Sequence, residues 1–322
     1  MMTKENNLED LRFSIVVIHR NGCENLHKLI DSLAPQITKD EIIIVDNNSN
    51  DDSIKYIQSI EQFSYLNIKF IMNNCNLGYG SACNKAMNKA KGSYFLLCNN
   101  DIYLENNTLD KFYSRLESDK SAGIIGPQLY SNSGNQINSY STIIPTFLNQ
   151  IDLIGRFFKS KKIDKYSPVF HLRGACLAVS RDMFNEIGGY DEDFYFYHEE
   201  TEWCFRINKT KKWKVMFDPE TKVYHSEGKS TKKIFLPSRV EFYRSRILFW
   251  KKIFPRHIFY LIYFWNNFKL LIDLIYYFLF SLLTVFAYRK ITNKFLDRFI
   301  VLAWLIFGQP ESWGLPDKCA KK

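Results

Sequence analysis

An apolar run that stops in three oxygen-bearing side chains is the most informative feature of this sequence. The run Tyr94–Cys98 is followed directly by Asn99, Asn100 and Asp101. A buried strand that ends in this way would deliver Asp101 to the carboxyl edge of a sheet. Carboxylate and amide oxygens suit a hard divalent cation, and such a cation suits a diphosphate. The alternative is an ordinary Asn/Asp turn after the strand.

A second polar run follows another apolar segment. The segment Glu41–Val45 predicts a buried strand, which leads into Asp46 and Asn48. A carboxylate at a strand end can accept a hydrogen bond from a nucleobase N–H or a ribose hydroxyl. The same run suits an Asx-rich turn that caps the next helix, with Ser49 or Asp51 as the cap. Both interpretations stay open on the sequence alone.

Two glycines precede a predicted helix in the run Asn76–Asn84. Gly78 and Gly80 let the backbone approach a ligand closely. The helix N-terminus offers free N–H groups and the positive end of its dipole to a phosphate. Simple turn chemistry explains these glycines about as well.

The run Gly188–Arg206 is the most specific one, because aromatic residues lead into acidic residues at a predicted helix start. Glu199 and Glu200 lie where carboxylates suit the helix dipole. Adjacent carboxylates in a partly apolar site raise the pKa of one of them, which favours general-base catalysis near neutral pH. Glu202 and Arg206 are spaced i,i+4, which predicts a structural ion pair.

His225 follows a further short apolar segment. A lone histidine is usually structural. A ligand to a metal or a pyrophosphate is the functional interpretation, and the sequence leaves both open.

Alternating strands and helices must position these side chains. Apolar runs predict buried strands at Phe13–Ile18, Glu41–Val45, Ile68–Met72 and Tyr94–Leu97. Helical periodicity lies between them, at Asn25–Leu33, more weakly at Ser53–Ile60, and at Ser81–Ala90. This alternation predicts a parallel, doubly wound sheet that binds ligands beyond the carboxyl ends of its strands.

The middle of the chain has weaker patterns. The segment Gly123–Tyr166 is irregular and rich in turn residues, which predicts loops, an edge strand and a lid or connection. Beyond it we expect a buried strand at His171–Ser180, helices at Arg181–Ile187 and Glu199–Asn208, and a short strand at Lys214–Phe217.

Composition bounds the class of protein. The chain has 322 residues, which allows one large or two medium domains with a sizeable core. Its 43 basic and 34 acidic residues give a net charge of +9, which suggests anionic partners. Seven cysteines without a CxxC pair suggest reduced, mostly buried thiols rather than zinc or disulfides. The polar segment Met1–Arg12 predicts no signal peptide.

Aromatic and aliphatic residues dominate from about residue 235 to 307. The stretch Leu270–Tyr288 is almost wholly apolar and lies at the lower limit for a bilayer span, about 17–25 residues. Because Asn266, Asn267, Lys269 and Asp273 weaken a transmembrane interpretation of the longer run from Ile258, an interfacial or re-entrant helix and a buried helical subdomain also stay open. A cationic belt just before this region suits an anionic membrane surface. Its residues are Lys229, Lys232, Lys233, Arg239, Arg244, Arg246, Lys251, Lys252 and Arg256.

In this order, the segments resemble the family 2 glycosyltransferases with the GT-A fold, over about Phe13 to Ser230. The strand Ser14–Ile18 opens the pattern, and Asn99–Asp101 corresponds to the family's metal-binding DXD element. The other matching blocks are Val45–Asp51, Asn76–Asn84 and Gly188–Arg206. The chain looks most like the rhamnosyltransferase-like bacterial enzymes of O-antigen, capsule and cell-wall assembly.

The resemblance implies roles for individual residues. Asp101 would bind Mg²⁺ or Mn²⁺ that bridges the donor diphosphate, with His225 as a further metal ligand. Glu200 would deprotonate the acceptor hydroxyl, with Glu199 as the reserve candidate, and Asp46 would contact the nucleotide base. The implied donor-binding residues are Asp46, Asn48, Gly78, Asn84, Asn99, Asn100 and Arg173.

The resemblance and the composition together predict an α/β architecture with three parts. A flexible N-terminus, residues 1–12, would precede a GT-A domain at 13–234 with a Rossmann-like, mostly parallel central sheet flanked by helices. An apolar, basic, helical, membrane-associated region would follow at 235–322. We expect it to hold the chain on the cytoplasmic side of the inner membrane, peripherally or through one C-terminal membrane segment.

The implied function is inverting, metal-dependent transfer of a sugar from a UDP- or dTDP-sugar, with dTDP-rhamnose among the candidates, to a lipid-linked or growing surface glycan. Asn99 replaces a carboxylate of the family pattern and Glu200 replaces an aspartate, so a non-catalytic GT-A-like nucleotide-sugar-binding subunit is the alternative. Charge alone suggests a third class, nucleic-acid binding. We find no zinc-finger, RNP-like or helix-turn-helix pattern, so we expect no nucleic-acid partner.

Overall fold

The chain folds around a nine-stranded sheet, and long helices follow the sheet. The computed structural model describes residues 11–60, 66–226, 235–284 and 286–319. The expected flexible N-terminus lies almost wholly outside these residues. The expected domain boundary at residue 234 and the basic residues Lys229, Lys232 and Lys233 lie outside them too.

The first half of the chain forms parallel strands connected by helices. The bounds are Phe13–His19 for β1, Cys23–Leu33 for α1, Glu41–Asp46 for β2, Ser53–Ile60 for α2, Ile68–Met72 for β3, Tyr79–Met87 for α3 and Tyr94–Asn99 for β4. Strands β3, β2, β1 and β4 lie side by side in parallel. The strands and helices predicted for this half are confirmed, with ends that differ by at most three residues.

The second half makes the sheet mixed. The bounds are Ile102–Leu104 for β5, Thr108–Ser118 for α4, Ala122–Tyr130 for β6, Tyr140–Ser141 for β7, Phe147–Gln150 for α5, Asp152–Gly155 for α6, Ser167–Pro168 for β8, His171–Leu172 for β9, Cys176–Ser180 for β10, Arg181–Ile187 for α7, Glu199–Lys209 for α8 and Lys214–His225 for β11. The strand order is β3-β2-β1-β4-β10-β6-β11-β5, with β8 beside β11. Strand β10 is antiparallel to both of its neighbours, whereas β6 and β11 are parallel.

The prediction of irregular structure after Gly123 is wrong for β6. This nine-residue strand lies between β10 and β11, and its first six residues are buried. Its glycines resemble turn residues in the sequence but serve packing in the structure. A Cβ added at Gly126 would lie 2.6 Å from Leu172, so a larger residue would not fit.

Two further strand predictions need correction. Strand β11 does not stop at Phe217 but continues to His225, across a register shift between Asp218 and Lys222. The run predicted as one strand at 171–180 is divided into β9 and β10 by the loop 173–175. These corrections matter because the loop and the end of β11 both reach the candidate site.

The expectation of reduced thiols is wrong for two of the seven cysteines. Cys75 and Cys319 form a disulfide across 244 residues of sequence. The backbone joins the same segments, since Cys319 N donates to Asn76 O at 3.2 Å. The other five cysteines are free, and four of these are buried. A pairing between positions so far apart leaves no spacing pattern that sequence reasoning could use.

The C-terminal helices are α9 at Phe235–Ile253, α10 at Arg256–Leu283 and α11 at Arg289–Ile306. Among the described residues, only α10 is long and apolar enough to cross a membrane. The apolar run predicted over 270–288 is not one helix, because α10 ends at Leu283 and the chain reverses through Phe286, whose φ is +57°.

The sheet has an apolar core on each face, because helices cover both faces. Ile15 and Val17 of β1 lie in one core, whereas Val16 and Ile18 lie in the other. This period-two alternation explains why β1 is buried at every position and has an almost continuous apolar sequence.

Three glycines allow α3 to pack against the segment 188–198, and we call this contact the glycine seam. A side chain at any of them would collide with that segment or with α3. An added Cβ would lie 2.2 Å from the Tyr195 carbonyl oxygen at Gly78, 2.9 Å from Tyr190 Cβ at Gly80, and 2.1 Å from Asn84 Oδ1 at Gly189.

The seam gives a stability prediction with a matched control. Gly78 and Gly188 have the same backbone conformation, with φ of 85° and 84° and ψ of 174° and 177°. No atom lies within 4 Å of a Cβ added at Gly188. We expect Gly188→Ala to lower the free energy of unfolding by about 1–3 kcal/mol through backbone strain alone. Gly78→Ala should lose about 1–3 kcal/mol more, because its methyl group overpacks the seam.

Chemical denaturation of the two variants measures this difference. Equal losses for Gly78→Ala and Gly188→Ala would show that the close approach of Tyr195 is unimportant for stability.

Candidate active site

The strand ends bring the predicted polar runs to one edge of the sheet. In the register of the parallel strands, His19 of β1 pairs with Asp46 of β2, and Ile18 pairs with Asn99 of β4. The carboxyl ends of the three strands therefore lie side by side, which is where open α/β sheets bind ligands.

Asp46 is buried and shapes the turn after β2. Its carboxylate accepts hydrogen bonds from the backbone N–H of Ser49, at 3.0 Å, and from the Ser49 hydroxyl. Asn48 is exposed, with φ of +64°. Asp51 accepts from Gly22 N at 2.7 Å and Ser53 N at 3.1 Å, so the predicted Asx capping is confirmed. A base contact by Asp46 or Asn48 stays a prediction.

Asn100 connects the end of β4 to a histidine that sequence reasoning missed. Its amide donates to Asn21 O at 3.0 Å and lies 2.9 Å from Nδ1 of His19. Burial lowers the pKa of His19, so its ring is neutral and accepts through Nδ1. His19 Nε2 has no hydrogen-bond partner among the described residues. The signal was present in the sequence, because His19 is also a polar residue at the end of an apolar strand.

The two residues predicted to bind metal lie next to each other. His225 Nε2 is 3.2 Å from Asp101 Oδ1, and both side chains are largely buried. Asp101 follows β4, whereas His225 ends β11, on the far side of β10 and β6. The backbone fixes the pair, since Ser226 N donates to Asp101 O at 3.0 Å.

This donor set fits a divalent cation that also binds a diphosphate. Asp101 supplies a carboxylate and His225 an imidazole, while Asn99 is partly exposed at the end of β4. Among the described residues, no cluster of three or more His, Cys, Asp or Glu side chains could hold a metal. A cation held here would therefore need further oxygen ligands, such as those of a bound diphosphate.

Gly78 and Asn84 lie at the glycine seam. The Gly78 carbonyl accepts from Asn47 Nδ2 at 3.2 Å, which joins the turn to the end of β2. The Asn84 side chain accepts from Tyr190 N at 2.9 Å and donates to Tyr190 O at 2.8 Å. The observed role of Asn84 is thus to position the segment that leads to α8. Contact of either residue with a donor stays a prediction.

Glu199 and Glu200 begin α8 as predicted, but in different environments. Glu199 is buried, whereas Glu200 is partly exposed. Burial, together with the charge of Glu200, raises the pKa of Glu199 well above its ordinary value. Burial also acts to raise the pKa of Glu200, but the neighbouring His171, followed by the backbone N–H of Glu200 and by His198, acts to lower it, and the net pKa is lowered. Glu200 is therefore the ionised member of the pair and Glu199 the neutral one.

The loop between β9 and β10 supports Glu200. His171 Nε2 lies 3.8 Å from Glu200 Oε1, within ion-pair range when the imidazole is protonated. Glu200 packs over Gly174, where an added Cβ would lie 3.6 Å from Glu200 Cβ. Tyr79 donates its hydroxyl to Gly174 O at 3.1 Å. Arg173 lies next to Gly174, is partly buried, and donates its backbone N–H to Ser139 O at 2.9 Å.

An uncommon backbone turn aims the two glutamates. Tyr197 and His198 both have positive φ, 70° and 66°, which is rare outside glycine and recurs at functional sites. The His198 ring packs between Phe242 and Phe249 of α9, with centroids 5.1 and 5.5 Å away. Burial lowers the pKa of His198 to about 4, so the ring is neutral.

Hydrogen bonds and side-chain packing thus connect Asn99 to Glu200 through residues 174 and 175, and we call this connected surface the continuous wall. Asn99 N donates to Ala175 O at 3.0 Å, and Ala175 follows Gly174, over which Glu200 packs. Glu202, by contrast, pairs with Arg206 at 2.7 Å, which confirms its predicted structural role. Sequence reasoning missed His171, because its role depends on contact with a glutamate 29 positions away (from 171 to 200).

A family model described as "Glycosyl transferase family 2" matches residues 14–188, more than half of the chain. The chain belongs to glycosyl transferase family 2. The matched segment of this family 2 chain holds β1 to β4, the glycine turn and the Asn99–Asp101 run, and it ends just before the acidic pair.

Two curated relatives are similar in sequence to this family 2 chain. The low-salt glycan biosynthesis hexosyltransferase Agl10 of Haloferax volcanii is 24% identical over 206 residues, 63% of this chain and 62% of the relative. The N-acetylglucosaminyl-diphospho-decaprenol L-rhamnosyltransferase of Mycobacterium tuberculosis is 23% identical over 213 residues, 59% of this chain and 67% of the relative. The alignment with the first thus spans less than two thirds of its length.

Solved structures show that the family 2 chain has the GT-A fold. The mannosyltransferase PcManGT of Pyrobaculum calidifontis, in complex with GDP-Man and Mn²⁺, has a TM-score of 0.55 at 13% identity, over 92% of this chain and 86% of that one. S. aureus TarS 1-349 in complex with UDP-GlcNAc has a TM-score of 0.53 at 17% identity, over 75% of this chain and 66% of that one.

The Asp101–His225 pair gives a prediction about metal binding. We expect Asp101→Asn to weaken Mn²⁺ binding about tenfold or more, because it removes the one carboxylate of the pair, and Asn99→Asp to strengthen it by adding charge. Titration calorimetry in the presence of UDP or dTDP measures both. Asp110→Asn is the control, because Asp110 pairs with Arg12 at the opposite end of β1. Unchanged affinity in Asp101→Asn would place the cation elsewhere.

Proposed function

We propose that this chain transfers a sugar from a nucleoside-diphosphate donor to a hydroxyl group of a glycan acceptor. The observation that carries the proposal is Glu200, an ionised and partly exposed carboxylate at the start of α8, joined by a continuous wall to the strand ends that hold Asp101 and Asn99. Membership of glycosyl transferase family 2 and the names of the two relatives support it.

The donor in this proposal is a UDP- or dTDP-sugar, with dTDP-rhamnose among the candidates. The rhamnosyltransferase relative supports this choice and supports a lipid-linked acceptor. The donor would lie along the carboxyl edge, with Asp46 and Asn48 at the nucleobase and the partly exposed amide of Asn99 nearer the diphosphate.

Asp101 and His225 would hold Mg²⁺ or Mn²⁺, since two structural neighbours were solved with Mn²⁺. When bound, the cation neutralises charge that develops on the departing diphosphate. His225 Nδ1 is buried without a hydrogen-bond partner among the described residues, so its ring is not committed to another role through that atom.

The chemical step in this proposal is a single displacement with inversion. The acceptor oxygen attacks the anomeric carbon, the bond from that carbon to the diphosphate oxygen breaks, and the acceptor proton passes to the Glu200 carboxylate. A carboxylate with a lowered pKa is fully ionised at neutral pH, which is the form that a general base requires.

The two glutamates give the decisive test. We expect Glu200→Gln to lower kcat by about 10²–10⁴, because it removes the base. Glu199→Gln should change kcat far less, because Glu199 is already neutral and glutamine has nearly the same shape. The measurement is release of UDP or dTDP from a panel of nucleotide sugars, with a polyprenyl-diphosphate-sugar acceptor and with Mn²⁺ or EDTA.

Three outcomes separate the hypotheses. Turnover that is lost in Glu200→Gln and retained in Glu199→Gln supports the proposal and names the donor. The opposite pattern would transfer the role of base to Glu199. Nucleotide binding without turnover of any donor, acceptor included, would favour the non-catalytic subunit.

The pH dependence of activity tests the role of His171. Burial raises the pKa of Glu200 and His171 lowers it, with a net lowering, so the active carboxylate form persists to low pH. Removing the imidazole in His171→Gln should raise this pKa and move the acidic limb of the kcat/KM profile to higher pH. His257→Gln, at an exposed position of α10, is the control. An unmoved acidic limb would show that His171 does not tune the base.

A further inference from the structure

The helices α10 and α11 form an antiparallel hairpin. The Phe278 and Phe295 rings lie 5.5 Å apart, and Lys294 and Arg298 lie over the Tyr277 ring at 5.2 and 5.3 Å. We call residues 274–284 and 286–288, at the turn between the helices, the hairpin tip.

The inner half of α10 is fixed to the sheet domain and its short helices. Ile262 is fully buried with Phe194 and Phe249. Asn266 is buried too, and it donates to Gln150 O at 2.9 Å and accepts from Asp152 N at 3.0 Å. This half of α10 therefore cannot be surrounded by lipid while the fold is intact.

The free part of α10 is too short to cross a bilayer. After Asp273, whose carboxylate bonds to Lys269 at 2.5 Å, the helix continues from Leu274 to Leu283. At 1.5 Å per residue this part is about 15 Å long. The hydrocarbon core of a bilayer is about 30 Å thick.

The outward face of the hairpin tip is apolar, whereas its other face packs against α11 and buries Ser281. Exposed apolar side chains follow one another along the helix, and Leu283 is 80% exposed. They are Ile275, Tyr276, Phe278, Leu279, Phe280, Leu282, Leu283, Phe286 and Tyr288. Because successive residues such as Phe278, Leu279 and Phe280 are all exposed, this face is wider than the stripe that one partner helix covers, which favours lipid.

Basic residues follow the hairpin tip directly in the chain. Arg289 and Lys290 are exposed directly after it, and Lys294 is exposed one turn later. These cations would lie within the hydrocarbon if the hairpin entered the bilayer end-on. They would reach phosphate groups if the hairpin lay flat at the boundary between headgroups and acyl chains, where tyrosine side chains also concentrate.

Both ends of the hairpin are attached to the same side of the molecule. Before it, α9 holds His198; after it, the chain returns to the glycine turn through Cys319 and Cys75. Pro310 O accepts from Arg244 at 2.9 Å and from Trp304 at 3.1 Å. A single crossing would place the two ends on opposite sides of a membrane.

We infer that the hairpin tip embeds in one leaflet of an anionic membrane, parallel to its surface, and does not cross it. The apolar side chains of the tip enter the leaflet, and Arg289 and Lys290 bind anionic headgroups. This inference is independent of the proposed glycosyl transfer, and its test contains no sugar donor.

Vesicle flotation of the purified full-length chain tests the contact with lipid. Phosphatidylethanolamine vesicles with a minor fraction of phosphatidylglycerol should bind the chain, and phosphatidylcholine vesicles should bind it less. Leu283→Glu should reduce binding about tenfold or more. Met72→Glu, an exposed residue of β3, is the matched control and should bind as the parent chain does. Arg289→Gln with Lys290→Gln should remove the preference for anionic vesicles.

Labelling in cells that express the chain tests the topology. A cysteine introduced by Tyr288→Cys should react with a membrane-impermeant maleimide only after lysis, as should the partly exposed native Cys23. Reaction of the introduced cysteine in intact cells would show that the tip crosses the membrane and would overturn the inference. Flotation unaffected by Leu283→Glu would overturn it as well. So would a dimer in solution that Leu283→Glu dissociates, together with no binding to vesicles.

Discussion

The close approach of two backbones at the glycine seam is the constraint on which the candidate site depends. Gly78, Gly80 and Gly189 leave no room for side chains, so α3 and the segment before α8 pack at backbone distance. Asn84 secures the contact through both the N–H and the carbonyl of Tyr190. Because α3 follows the strand edge and α8 carries the glutamates, the seam sets the position of the proposed base, Glu200, relative to the strand ends.

That geometry divides two chemically equal carboxylates into a neutral group and an ionised one. The left-handed turn at Tyr197 and His198 directs Glu199 inward, where burial raises its pKa, and leaves Glu200 beside His171, where its pKa is lowered. The ionised Glu200 favours the neutral form of Glu199, since two adjacent negative charges repel. The neutral Glu199 thus helps to keep Glu200 ionised.

Sequence patterns predicted the features that depend on residues close together in the chain. Continuous apolar runs revealed β1 to β4, because strands covered on both faces need apolar residues at every position, and a polar residue at a strand end marked Asp46 and Asp101. Sequence patterns did not predict the features that depend on contacts between residues far apart in the chain. Gly126 lies in a strand with Leu172 packed against it, and Glu200 lies beside His171, which belongs to strand β9. Cys75 pairs with a cysteine 244 residues away. None of these leaves a periodic signal.

The C-terminal helices belong to the architecture of the site and are not an attachment alone. Phe242 and Phe249 of α9 enclose His198, and Ser245 donates to Phe196 O at 2.7 Å, so α9 stabilises the strained turn that directs the glutamates. The tail that returns from the hairpin is joined to the glycine turn at Cys75. The hairpin is therefore connected to the proposed base through α9 and to the predicted donor turn through the tail. A surface that holds the hairpin tip would fix the orientation of both at once.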